Sequence, residues 1–138
     1  MIKKIGCVEI PVSDMKRSVA FYEELLGLKK NYEHPVWTSF VIEGTMFALA
    51  VSGTKEGKKD DLCKSCSPCL LRLSGELKDI PTTVSVIYLA VENIDETYRE
   101  LKDKGVQFIA EPKTQGWGGK TAVMLDPDKN IIALTQYE

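Results

Sequence analysis

The side chains able to do chemistry in this chain are few, and they fall into three groups. Cys63, Cys66 and Cys69 are spaced C-x2-C-x2-C. Thiolates at that spacing converge on zinc or another soft metal when a fourth donor joins them. No fourth cysteine or histidine follows nearby, so Cys7 or His34 would complete the set only through the fold. The pattern is also incomplete for an iron–sulfur cluster. Lys58, Lys59 and Lys64 favour thiolates around it, and Asp60 and Asp61 oppose them. The plain alternative is a loop of free, oxidisable thiols.

The second group is Cys7 and Glu9, which strand alternation places on one face together with Pro11. A carboxylate facing a cavity is costly unless something pairs with it. Glu9 therefore reads as a pocket acid that meets a cationic or hydrogen-bonding ligand group or acts as a general base, or else as a structural partner of a lysine or arginine. The third group is aromatic: Trp37, Phe40, Phe47, Tyr88 and Trp117. Phe40 and Phe47 read as core. Trp37, Tyr88 and Trp117, with Met124, read as ligand contacts beside Cys7 and Glu9. Trp117 lies in Gly116-Trp117-Gly118-Gly119, a glycine-flanked loop of the kind that closes over a ligand. His34, the only histidine, sits in a turn between Glu33 and Pro35 and reads as an exposed bystander. There is no serine–histidine pairing, phosphate loop or nucleic-acid motif.

The elements that must position these groups come twice. Residues 5–27 and 84–105 are near copies: Val12, Asp14, Met15, Val19 and Tyr22 return 79 positions later as Val91, Asn93, Ile94, Tyr98 and Leu101. In each copy a strand (4–12, 84–92) runs into a capping residue, Ser13 or Asp14 in the first and Asn93 or Asp95 in the second. Amphipathic helices follow. The first has its apolar stripe at Met15, Val19, Tyr22 and Leu26, and the second at Ile94, Tyr98 and Leu101. Gly27 and Gly105 end them. Strands are predicted at 29–33, 36–43 and 45–52, with Glu43-Gly44 as a hairpin turn. In the second copy they fall near 106–110, 120–125 and 130–136, with a turn at Asp126-Pro127-Asp128-Lys129. The expected organisation is one domain: module one at 1–52, a linker at 53–83, and module two at 84–138.

Composition excludes several classes. The 138 residues are 43% hydrophobic and 28% charged, with a net charge of −2. That is ordinary for a globular protein and gives no basic footprint for nucleic acid or anionic membrane. The apolar runs are strand-length, and no signal segment is evident. The expected location is the cytoplasm, with reduced cysteines.

The segments PVSDMKRSVAFYEELLGL (11–28), AVENIDETYRELKDKGV (90–106) and LDPDKNIIALTQ (125–136) resemble the vicinal oxygen chelate superfamily, the glyoxalase, bleomycin-resistance and extradiol dioxygenase group. With the repeat they cover nearly the whole chain outside 53–83. The resemblance implies an α+β fold of two βαβββ modules forming a cup-shaped mixed sheet, with a site where the copies meet. It also implies four metal-ligand positions, which carry over to Cys7, Ala48, Val86 and Ala133. Alanine and valine offer no electron pair, whereas a divalent metal takes three or four N, O or S donors. The expectation is therefore a metal-free small-molecule binding protein that sequesters or carries an organic ligand. It would use no cofactor, form a homodimer, and bind neither nucleic acid nor membrane. The alternatives are a glyoxalase- or lyase-type enzyme using Glu9 or a cysteine-held metal, and a thiol-based sensor of metals or oxidants.

Overall fold

Asp14 and Asn93, 79 positions apart, do the same work. Each is extended, and each side-chain oxygen accepts a hydrogen bond from the backbone N–H three residues on. The donors are Arg17 N–H and Glu96 N–H, both at 3.1 Å. Each thereby satisfies one of the N–H groups that a starting helix leaves without an intrahelical partner. The structure, a computed structural model, describes residues 1, 3–51 and 85–137. The chain divides into two compact units, Met1–Thr82 and Thr83–Glu138. The cluster Cys63, Cys66 and Cys69 and the expected linker lie outside the described residues.

In unit one, β1 (Cys7–Val12) leads to the helix α1 (Met15–Val19), then to β2 (Lys29–Tyr32), β3 (Trp37–Ile42) and β4 (Thr45–Val51). The strands order as β1-β4-β3-β2, with β1 parallel to β4 and the remaining pairs antiparallel. Glu43 and Gly44 make the β3–β4 turn, both with positive φ (46° and 80°). That is the mirror-image turn whose twist matches a hairpin.

In-register neighbours share a face, so the pairing sorts the residues. Val8, Ile10 and Val12 of β1 line up with Phe47, Leu49 and Val51 of β4, and these with Phe40 and Thr38 of β3. This face packs against the helix. Tyr22, Phe40 and Phe47 form an aromatic cluster there, with ring centroids 5.0 to 6.3 Å apart.

The helix departs from the expected stripe. After α1, residues Ala20–Leu25 wind as a π-helix, with Leu26 N–H donating to the Phe21 carbonyl five residues back at 3.0 Å. The wider turn brings Phe21 and Tyr22 to the core side by side, in place of the expected Tyr22 and Leu26. Phe21 is buried beside Tyr22, edge to face at 5.0 Å, while Leu26 is only half-buried.

Unit two repeats the order with β5 (Val86–Ala90), α2 (Ile94–Asp103), β6 (Gln107–Thr114), β7 (Lys120–Leu125) and β8 (Ile131–Gln136). Its strands order as β5-β8-β7-β6, again with one parallel pair, β5 and β8. Leu89, Leu134, Ile132 and Met124 form rows on the α2 side, where Tyr98 meets Phe108 edge to face at 4.6 Å. Gln136 fastens α2 to its sheet by accepting from Ile94 N–H at 2.8 Å. At the last hairpin the nearly buried Asp126 accepts from the backbone N–H groups of Asp128 (2.9 Å) and Asn130 (2.7 Å) and from Asn130 Nδ2 (2.8 Å). The expected turn is thus held by its first residue.

Candidate functional site

The face of the unit-one sheet opposite the helix carries the chemistry. Cys7, Glu9 and Pro11 lie along β1. Beside them in register stand Met46, Ala48 and Ala50 of β4, then Val41, Ser39 and Trp37 of β3. The arrangement turns on one hydrogen bond: Trp37 Nε1–H donates to Glu9 Oε1 at 2.9 Å. The two residues are on strands separated by β4 and in adjacent rows. The indole must therefore lie across β4, and it does so where β4 offers Ala48 and Ala50. Both alanines are fully buried, and Trp37 and Val36 pack against Ala50. A larger residue at either position would occupy the space the ring uses. A hydrogen bond to an ionised acceptor is stronger than a neutral one, so this bond fixes both the rotamer of Trp37 and the direction of the carboxylate.

Tyr32 completes the corner, and periodicity alone misplaces it. Lys30 pairs with Phe40 on the helix side, and simple alternation would put Tyr32 there too. A bulge between Lys30 and Tyr32 shifts the register, so that Tyr32 stands opposite Ser39 on the Glu9 face. Its ring is 6.1 Å from that of Trp37, tilted by 49°. Asn31 Nδ2 donates to the buried Ser39 Oγ at 3.4 Å beside it. Tyr32, Asn31, Ser39 and Ala50 were not among the sequence candidates. Only the bulge and the cross-strand register reveal them.

Cys7 is an exposed thiol at the start of β1. Exposed as the residue is, partial desolvation of its thiol and then the negative charge of Glu9 push its pKa up. His34 lies beyond this face. Its ring is nearly parallel to that of Tyr32, and its Nδ1 accepts from Val36 N–H at 3.3 Å. With Asp14, Met15, Lys16, Glu33 and Pro35 it lines a groove of about 690 Å³. Glu33 there is engaged by Lys30, 2.6 Å away, whose ammonium pKa is raised chiefly by that hydrogen bond.

The sequence candidates of unit two separate. Tyr88 is exposed and, like Val86, lies on the face opposite α2, in register with Ala133. It is the repeat equivalent of Glu9, which is in register with Ala48. Met124 is a correction. Its neighbours are Phe108 and Ile132, on the α2 side, and it is fully buried, so it is a core residue and not a ligand contact. Trp117 is 57% exposed, yet its ring is folded back onto its own hairpin. A Cβ at Gly119 would lie 2.0 and 2.4 Å from that ring, and Tyr137 stacks obliquely on it at 5.8 Å. Gln115 N–H donates to the Gly119 carbonyl at 2.7 Å, closing the turn. Gly119 thus seats the ring.

Of the four positions that the resemblance gives to a metal, only Cys7 carries a donor atom. Ala48 and Ala133 are buried, and Val86 is a strand residue with an apolar side chain. Among the described residues no three His, Cys, Asp or Glu side chains come together as a metal site. These residues do not fit the group.

A model of the Glyoxalase/Bleomycin resistance protein/Dioxygenase superfamily matches residues 4–134. The chain is 26% identical over 132 residues to the uncharacterised protein YraH of Bacillus subtilis (strain 168), covering 95% of this chain and 96% of that one. It is 27% identical over 128 residues to a bleomycin resistance protein of Geobacillus stearothermophilus, covering 92% of each. A crystal structure of a superfamily member from Sphaerobacter thermophilus DSM 20745 has the same fold, with a TM-score of 0.69 at 23% identity over 99% of this chain and 98% of that one. Two βαβββ units and a match that runs nearly from end to end lead to one conclusion: this protein belongs to the Glyoxalase/Bleomycin resistance protein/Dioxygenase superfamily.

Proposed function

We propose that this protein is a metal-free small-molecule binder that holds an organic ligand against the face of its first sheet opposite the helix. The observation that carries this reading is the Glu9–Trp37 bond laid over Ala48 and Ala50. Of the positions where the superfamily resemblance calls for metal donors, Ala48 lies in this floor and offers none. Above the floor are one oriented carboxylate and two aromatic rings. A few fixed polar groups on an apolar, aromatic surface are what a small-molecule site requires. The similarity to a protein named for bleomycin resistance supports the same class. Cys7 weighs against thiolate chemistry at this face, because partial desolvation and then the charge of Glu9 both disfavour its thiolate.

The test is mass spectrometry of whatever co-purifies with the protein, joined to a metal analysis and to titration of the identified compound. Binding should be lost or weakened in Trp37→Ala and Glu9→Gln without turnover of the compound. Turnover that disappears in Glu9→Gln would replace the binder with an enzyme. A stoichiometric metal that survives replacement of Cys63, Cys66 and Cys69 would overturn the metal-free reading.

A further inference from the structure

We propose that the groove between the start of α1 and the β2–β3 turn is a site for a small zwitterion, a molecule that carries a carboxylate and an ammonium group as an amino acid does. It is a second site, and it does not depend on the binding role proposed for the Glu9 face. The groove has a volume of about 690 Å³ and is lined by Asp14, Met15 and Lys16 at the helix start and by Glu33, His34 and Pro35 at the turn. Small-molecule sites commonly have volumes of about 300–1,000 Å³.

The charges around the groove sort into those answered within the protein and those left for a ligand. Glu33 is paired with Lys30 at 2.6 Å, and Lys30 also reaches Glu23 at 3.3 Å. Arg17 donates from Nη2 to Ser13 Oγ at 2.9 Å. Among the described residues, Asp14 takes a side-chain hydrogen bond from one donor, the uncharged backbone N–H of Arg17 at 3.1 Å. That bond orients the carboxylate and leaves its charge in place. Lys16 makes no side-chain hydrogen bond or ion pair among the described residues. Side chains two residues apart at a helix start do not face each other, so Asp14 and Lys16 do not cancel. The groove therefore offers one negative and one positive group.

His34 adds a fixed donor. Its Nδ1 accepts from Val36 N–H at 3.3 Å, so the neutral ring carries its proton on Nε2. The ring lies within 5° of parallel to that of Tyr32, with centroids 6.4 Å apart. The His34 backbone N–H donates to Thr38 Oγ1 at 3.4 Å, and its carbonyl accepts from the same hydroxyl at 3.1 Å. With backbone and ring both held, a ligand that meets Nε2–H has little left to order. A carboxylate suits Lys16 and this donor, and an ammonium suits the second oxygen of Asp14. The buried Met15, with Pro35, supplies apolar surface for the rest of the molecule. A ligand with a single charge would satisfy one of the two groups and be repelled by the other. The assignment uses these side chains alone and asks nothing of the helix backbone.

The experiment compares three probes that share a phenyl group: L-phenylalanine, 3-phenylpropanoate, which lacks the ammonium, and 2-phenylethylammonium, which lacks the carboxylate. His34 is the only histidine, so its ring C–H resonances need no assignment and report on the groove. They are followed at fixed pH on the full chain, with calorimetry alongside. Phenylalanine should move them saturably, and each singly charged probe should bind at least about fivefold more weakly. Added salt should weaken the binding of phenylalanine. Asp14→Asn keeps a capping side chain and Lys16→Gln a long polar one, so each removes a charge with little effect on the fold. Each should weaken phenylalanine by about threefold or more, the scale of a surface ion pair. If either singly charged probe binds as tightly as phenylalanine, the groove does not select a zwitterion and the proposal is wrong. It is equally wrong if no probe moves the His34 signals, or if calorimetry detects phenylalanine while those signals stay still. The comparison on the native protein needs no variant, and its failure leaves the test on Trp37 and Glu9 untouched.

Discussion

At the scale of single residues, the face of the first sheet opposite the helix is governed by what Glu9 does to its neighbours. It draws Trp37 across β4 by one hydrogen bond, and its charge adds to the desolvation that disfavours the Cys7 thiolate. The sign for Cys7 is direct. The thiolate is the reactive species, and both causes disfavour it. Alkylation by iodoacetamide at pH 8, read by peptide mapping, should therefore label Cys7 more slowly in the folded protein than in urea. Glu9→Gln removes the smaller of the two causes, so it should quicken the labelling without reaching the unfolded rate. Equal rates in folded and unfolded protein would show that the thiolate is not disfavoured at this position.

At the scale of elements, irregularities do the positioning. The bulge in β2 moves Tyr32 to the Glu9 face, and the π-helical segment brings Phe21 and Tyr22 to the core together. In unit two the turn at 115–119 seats Trp117 over Gly119. Gly119→Ala would drive a methyl group into the indole and toward the Gln136 carbonyl, 2.8 Å from the new Cβ. The ring should be displaced into water, seen as a red shift of tryptophan emission. A loss of about 1–3 kcal/mol of stability should accompany it, as for overpacking elsewhere. Gly116→Ala is the control. Nothing lies within 4 Å of its added Cβ, so it should change stability by no more than about 0.5 kcal/mol. An unshifted spectrum in Gly119→Ala would mean that the ring does not rest there.

At the scale of the whole molecule, two copies of one unit each build a core between a helix and one face of a four-stranded sheet. Among the described residues no helix is long and apolar enough to cross a membrane. The stabilities of variants should rank by burial in these cores rather than by side-chain size. Phe40 is fully buried between Tyr22 and Phe47, and Phe40→Ala should cost about 3–5 kcal/mol. Trp117 is larger but mostly exposed, and Trp117→Ala should cost about 1 kcal/mol. Urea denaturation midpoints, with the slope held in common, measure the order. A Trp117 variant less stable than the Phe40 variant would show that stability does not rank by burial.

The sequence alone determined the features whose causes are local. Each helix cap was narrowed to two residues, Ser13 or Asp14 and Asn93 or Asp95, because capping rests on a side chain reaching a few residues along the chain, and the structure chose Asp14 and Asn93. The Glu43-Gly44 and Asp126–Lys129 turns rest on backbone conformation and a carboxylate close in sequence. The strands and helices of both βαβββ copies rest on the period of their apolar residues, and the repeat made each reading a check on the other. The tertiary structure decided whatever depends on register between distant segments. Nothing near Trp37 in sequence says that its indole reaches Glu9, since that requires β1, β4 and β3 to stand side by side with alanines in the middle. Alternation counted along β2 misses Tyr32, because one bulged residue reverses the faces beyond it. Met124 was misread as a ligand contact because a strand's period distinguishes its two faces without saying which one a helix will cover. That choice is made when α2 docks on the sheet and buries Met124 with Phe108 and Ile132, leaving the Tyr88 face open.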